Sequence, residues 1–251
     1  MKYTTQIFAL SALAAKTTLA SSFQEMIDQA VNNIPEDFSN DLQNVTENEN
    51  GDLRNAADAS GQFRAITEAS MATIANYGCW CYFEDKHGSG KGKPVDQIDA
   101  MCHQLHQGYE CIIMDNDDAG TPCVPWTEPF VAVAGFFLTE QQVVTQCDAN
   151  NIPGSCAAQA CKVEGWFIQQ FLTYSLQGNV VDASKQHNNG FDVKTECPIS
   201  QGIKSDKSCC GDFPSRFSFK DYGGNRACCQ GATYNALMYS CCPDGTIQMA
   251  C

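Results

Sequence analysis

After its first twenty residues the chain has no long apolar run, basic residues are scarce, and only four histidines are present. Each shortage excludes something. A bilayer-spanning helix needs about 20 apolar residues in a row, and no such stretch occurs. Fifteen Lys and Arg against 29 Asp and Glu leave a net charge of −14. Nucleic-acid binding requires a basic footprint, so no nucleic-acid partner is expected. Capture on anionic lipid requires basic clusters, so any membrane or micelle partner should be zwitterionic. The four histidines are His87, His103, His106 and His187. None sits in an H-E-x-x-H pattern, and G-x-S-x-G is absent, so metalloprotease and serine-hydrolase readings have no support.

What the chain has instead is cysteine, sixteen in 251 residues. Lys2, an apolar run from Ile7 to Ala15 and the small residues around Ala20 read as a secretory signal. In an exported chain a dense, even cysteine set is a disulfide framework. The expected localisation is therefore secreted and extracellular, in line with the sequon Asn44-Val45-Thr46. The cysteines form two sets of eight, Cys79 to Cys161 and Cys197 to Cys251. Even counts predict two separately stapled units, the second bonding only within itself.

The predicted organisation is a signal peptide over 1–20, an acidic helical extension and linker over 21–60, and a main domain over 61–178. A linker over 179–195 and a di-cysteine module over 196–251 complete it. Apolar spacing predicts amphipathic helices at Ser22–Ile34 and from Phe63 to Ile74. Pro94 should open a helix over Asp96–Ile112, and a long helix should run from Ser155 to Leu176. Residues 115–129 read as loop, and Phe130–Leu138 as a β-wing or short strand. Three adjacent pairs, Cys209-Cys210, Cys228-Cys229 and Cys241-Cys242, point to a small β-rich module. Neighbouring side chains on a strand face opposite ways, so each pair ties one strand to two partners. This spacing is similar to that of galaxin-type extracellular matrix proteins, which implies a matrix partner for 196–251.

Residues Tyr77 to Cys111 carry the most chemistry: Y-G-C-W-C, a glycine-rich stretch, P-x-D-x-x-D and C-H-Q-L-H-Q-G-Y-E-C. Tyr77, Gly78, Cys79, Cys81, Gly92, Pro94, Asp96, Asp99, Cys102 and Tyr109 fall on the motif of secreted phospholipase A2, which this region resembles. Further on, Cys156-x4-Cys161 and Phe171 match the family's long third helix, with Glu164 in the place of its aspartate. Over about residues 63–176 the resemblance implies a mainly α, disulfide-rich fold, with an antiparallel helix pair and a calcium-loop-like segment. It implies bridges Cys81–Cys102, Cys147–Cys161 and Cys123–Cys156, and leaves Cys79 and Cys111 to pair together or reach elsewhere. Two family cysteine pairs are replaced, one by Gly108 and Val163, the other by Met101 and Gln170.

The resemblance further implies calcium-assisted hydrolysis of the sn-2 ester of glycerophospholipids. A histidine would act as general base, and calcium would stabilise the oxyanion. The family histidine position holds Leu105 and its calcium-binding aspartate position holds His106. His106 is the candidate base, and Tyr109 and Glu164 would orient it. Leu105 shares the core stripe of Ile98, Met101 and Ile112. Calcium, which takes about 6–8 oxygens, would draw on Trp80, Gly88 and Gly90 in the loop and on Glu84 as a replacement carboxylate. Glu84 and Asp85 on a solvated loop is the other reading of those acids. Hydrolysis is the function taken forward. The alternative is a non-catalytic scaffold in an extracellular matrix or on calcium-rich mineral.

Overall fold

The computed structural model describes residues 74–82, 90–133, 137–177, 179, 181–199 and 205–251. The two expected N-terminal helices lie outside them but for Ile74. Glu84 and Gly88 lie outside them entirely.

Four α-helices and three antiparallel strand pairs occur among the described residues. Helix α1 spans Gln97–Asp118. Asp96 caps it by accepting from Asp99 N at 3.0 Å, as a helix-entry aspartate should. Ile98, Met101, Cys102, Leu105, Tyr109 and Ile112 form its buried stripe. The helix does not stop near Ile112, as expected, but runs to Asp118. Asp and Asn are poor helix formers, yet tertiary partners hold two of them here. Asn116 Nδ2 donates to Ile112 O and to Gln159 Oε1, and Asp115 receives the guanidinium of Arg216.

Helix α2, Glu140–Asn150, was not foreseen. Its signal is a capping box in which Thr139 and Gln142 satisfy each other's backbone amides. Helix α3, Cys156–Leu176, starts after the Ser155 cap. It buries Ala160, Cys161, Val163, Phe167, Ile168, Phe171 and Leu172. Asn116 meets Gln159, Tyr109 meets Glu164, and Met101 faces the same cavity as Gln170. Rising numbers on one helix therefore meet falling numbers on the other, and the pair is antiparallel. A Cβ at Gly108 would lie 2.8 Å from Val163 Cγ1. The helix backbones approach closely because glycine stands there.

No strand forms among the described residues of Phe130–Leu138, contrary to expectation. Val131 is bonded in both directions by one side chain: its N–H donates to Asn151 Oδ1 (2.8 Å), and its carbonyl accepts from Asn151 Nδ2 (3.0 Å). A side-chain amide takes the place of a neighbouring strand.

The stretch expected to be a linker is packed. Two 3-10 turns, Ala183–Lys185 and His187–Asn189, precede helix α4, Val193–Glu196. Gly78 N donates to Lys185 O at 2.9 Å, and His187 N to Asn76 O at 3.0 Å. Lys185 Nζ lies 2.9 Å from Asp96 Oδ2, which also accepts from the Tyr77 hydroxyl.

The C-terminal part consists of hairpins β1–β2 (Lys207–Cys210, Phe217–Lys220), β3–β4 (Arg226–Cys229, Ala232–Asn235) and β5–β6 (Ser240–Cys241, Ile247–Gln248). Each adjacent cysteine pair divides between two partners. Cys210–Cys228 and Cys229–Cys241 link the hairpins in series, and Cys242–Cys251 ties the last residue back to the third hairpin. The bridges Cys81–Cys102, Cys123–Cys156 and Cys147–Cys161 are present. The expectation of a C-terminal unit bonded only within itself is overturned: Cys79–Cys197 and Cys111–Cys209 cross between the two sets. Two crossing bridges take two cysteines from each set of eight, so even counts are preserved and parity could not reveal them. Around Cys111 the junction is also polar. Arg216 forks onto Asp115 at 2.9 Å twice, Lys207 Nζ meets Glu110 Oε1 at 2.6 Å, and Gln107 Nε2 donates to Ser218 O at 3.1 Å.

Tryptic cleavage after the exposed Lys194 tests this linkage. Without reductant the two pieces should migrate together on a non-reducing gel, and reduction should part them. A C-terminal piece released without reductant would refute both crossing bridges.

Candidate functional site

The site is organised by Asp99, whose side chain is fully buried on α1. Its carboxylate accepts from Trp80 N (2.7 Å), Cys79 N and Val95 N (both 2.9 Å). Burial pushes its pKa up, against the lowering effect of the three amides. A Cβ at Gly78 would stand 2.6 Å from Asp99 Cγ, and the Gly78 φ is +56°. Only glycine tolerates both conditions. The Y-G-C-W-C motif is thus a backbone cradle for a buried acid. Cys81–Cys102 and Cys79–Cys197 tie it down, and His187 Nε2 lies 2.7 Å from Gly78 O.

Trp80 crosses from this cradle to the helix. Its Nε1 donates to Gly92 O at 3.3 Å, and its ring lies where a Gly90 Cβ would have to be. The indole centroid is 4.1 Å from the His103 ring and 6.3 Å from the His106 ring. Trp80 O accepts from Tyr82 N at 2.8 Å.

His106 is 3% exposed, its ring edge-on to Tyr109 at 6.0 Å. The Tyr109 hydroxyl donates to Glu164 Oε1 at 2.8 Å, and its ring meets Trp126 at 5.9 Å. Glu164 lies on α3, and burial pushes its pKa up to about 8. It is largely a neutral acid at pH 7. Burial, with Glu164 beside it, raises the Tyr109 phenol as well. The structure therefore gathers His106, Tyr109 and Glu164 into one buried patch, roofed by Trp80 and Gly90. Leu105 is 2% exposed in the apolar cluster.

For calcium the described donors are a poor fit. The Trp80 carbonyl is turned onto Tyr82 N. The residue after His106 is Gln107, an amide engaged with Ser218. Among the described residues no three His, Cys, Asp or Glu side chains converge as a metal site. Sequence reasoning did not foresee the indole roof of Trp80, the place of Trp126, or the three amides on Asp99. The last had a signal, since P-x-D-x-x-D places both acids at a helix entry.

None of the family models, curated proteins or solved structures compared with the chain matches it.

Two predictions follow from the buried acids. Asp99→Ala leaves three amides facing a void. At about 1–3 kcal/mol for each unsatisfied buried donor, chemical denaturation should show a loss of several kcal/mol, and a loss below 1 kcal/mol would remove Asp99 from its organising role. For Glu164 the folded pKa of about 8 stands above its ordinary 4.5. The folded state holds the proton more tightly, so stability is full below pH 4.5 and is lost as pH rises toward 8. Each pKa unit is worth about 1.4 kcal/mol. Glu164→Gln should flatten this decline while keeping an acceptor for Tyr109. An unchanged slope in the variant would show that Glu164 does not titrate in that window.

Proposed function

We propose that the chain is a secreted, phospholipase A2-like scaffold that does not hydrolyse lipid, with the C-terminal hairpins as its attachment to an extracellular matrix. The observation that carries this reading is the burial of Glu164 among the apolar residues of α3. A histidine acting as general base must become a cation in the transition state, and an ionised acid normally stabilises it. Burial raises the pKa of Glu164, the acid to which the resemblance gives that task, to about 8 and so favours its neutral form. Its bond is to Tyr109, and Trp80 roofs the ring of His106.

Secretion is supported by the disulfides, since all sixteen cysteines are bonded and such density belongs to oxidising compartments. No described helix is long and apolar enough to cross a membrane. Matrix attachment is supported by the exposed side chains Leu237, Met238 and Tyr239, between β4 and β5, and Met249, just after β6.

Calcium-assisted hydrolysis is the second reading. It is favoured by the Tyr109–Glu164 bond with His106 alongside, the grouping expected of a base and its orienting partners. Release of fatty acid from phosphatidylcholine mixed micelles separates the two. Under the scaffold reading, release stays at background with calcium or with chelator, and His106→Gln changes nothing. Calcium-dependent release that disappears in His106→Gln would establish hydrolysis.

A further inference from the structure

A cavity of about 600 Å³ opens between the first half of α1 and the second half of α3, away from the buried patch. On α1 its wall is the stripe Gln97, Met101 and Gln104; on α3 it is Trp166, Gln170, Tyr174 and Gln177. These spacings put each set on one helix face. Deeper along the same helices the facing residues are apolar, with Leu105, Val163 and Phe167. At the mouth the seam changes to amides and aromatic rings.

A fifth amide builds the side wall. Gln169 is buried, and its Oε1 accepts from Leu138 N at 2.9 Å. This bond holds the segment that brings Phe137 to the rim. The cavity is thus lined by an indole, a phenol, a phenyl ring and five amides, with the aliphatic side chains of Met101 and Leu138 beside them.

Among the described residues the lining contains no charged residue, although charged residues make up 18% of a chain with net charge −14. An anionic headgroup or phosphate would find no cation, and a basic ligand no carboxylate. An acyl chain would strip water from several amides without replacing their hydrogen bonds, which is costly. Amides offer a donor and an acceptor side by side, a match for adjacent hydroxyls. Aromatic faces suit the C–H faces of a sugar ring. The volume lies within the usual range of small-molecule sites, about 300–1,000 Å³.

We infer that this cavity binds a neutral oligosaccharide, with Trp166 as the stacking platform and Gln104 and Gln170 reading hydroxyls from opposite walls. The inference is independent of the scaffold reading, because none of these residues belongs to the His106 patch.

Calorimetry on the full secreted protein tests it, with cellohexaose and chitohexaose as probes. A proline-rich peptide and phosphatidylcholine vesicles serve as the competing classes. Saturable binding of one hexaose is expected, little changed from low to high salt because no ion pair is involved. Trp166→Ala and Gln104→Ala should each weaken it by about tenfold or more, with circular dichroism and Tm unchanged for Gln104→Ala. Should Trp166→Ala unfold, the half-buried Gln104 decides the matter. Absence of binding by both sugars, binding that survives the Gln104 substitution, or binding of the peptide or vesicles in their place would overturn the inference.

Discussion

Three backbone amides converge on the carboxylate of Asp99, and the rest of the molecule is arranged around that convergence. The carboxylate lies on the first turn of α1, and the amides come from the Y-G-C-W-C segment and from the approach to the helix. Holding them together fixes where Trp80 leaves the chain, and so what covers His103 and His106. It also sets Cys79 and Cys81 to bond in different directions, one to Cys197 and the other to Cys102. A buried acid of this kind is costly unless fully hydrogen-bonded. Burial raises its pKa, against the lowering effect of the amides.

Two buried carboxyl groups do opposite things a short way along the same helix pair. Asp99 gathers backbone donors and organises a loop. Glu164, with the phenol of Tyr109 as its partner, is held largely neutral and joins α1 to α3. Both bonds serve cohesion. The residues that most resemble catalytic equipment are, in this chain, also those that hold the helices together.

The helix pair was legible in the sequence because its signals are local. Proline and aspartate mark the entry to α1, Ser155 marks that of α3, and apolar residues recur at helical spacing. The facing of Gly108 with Val163 and of Met101 with Gln170 could be anticipated only through resemblance, since nothing in either segment alone points to the other. Among the site residues, the burial of Leu105 followed from a stripe argument, while the grouping of Tyr109 with Glu164 was reached only through the resemblance. The roof of Trp80 did not, because it depends on a glycine ten residues away. The crossing bridges were hidden for a different reason: cysteine counting is blind to any even exchange between sets. The packed stretch at 181–196 reads as polar linker because its partners are backbone atoms of Asn76 and Gly78 and the carboxylate of Asp96. Polar composition does not distinguish a free joint from one bonded to distant backbone.

The serial order of the C-terminal bridges has a mechanical meaning. From Cys251 a covalent path leads to Cys242, across one peptide bond to Cys241, then to Cys229 and Cys228, to Cys210 and Cys209, and so to Cys111 on α1. Tension applied at Cys251 would travel through four disulfides and three backbone steps between adjacent cysteines. The hairpin loops lie off this path and would carry almost no load. The module is therefore built less like a folded domain that unravels than like a short chain of links. It is anchored in the middle of the core's first helix, where a pull is received by the whole helix pair.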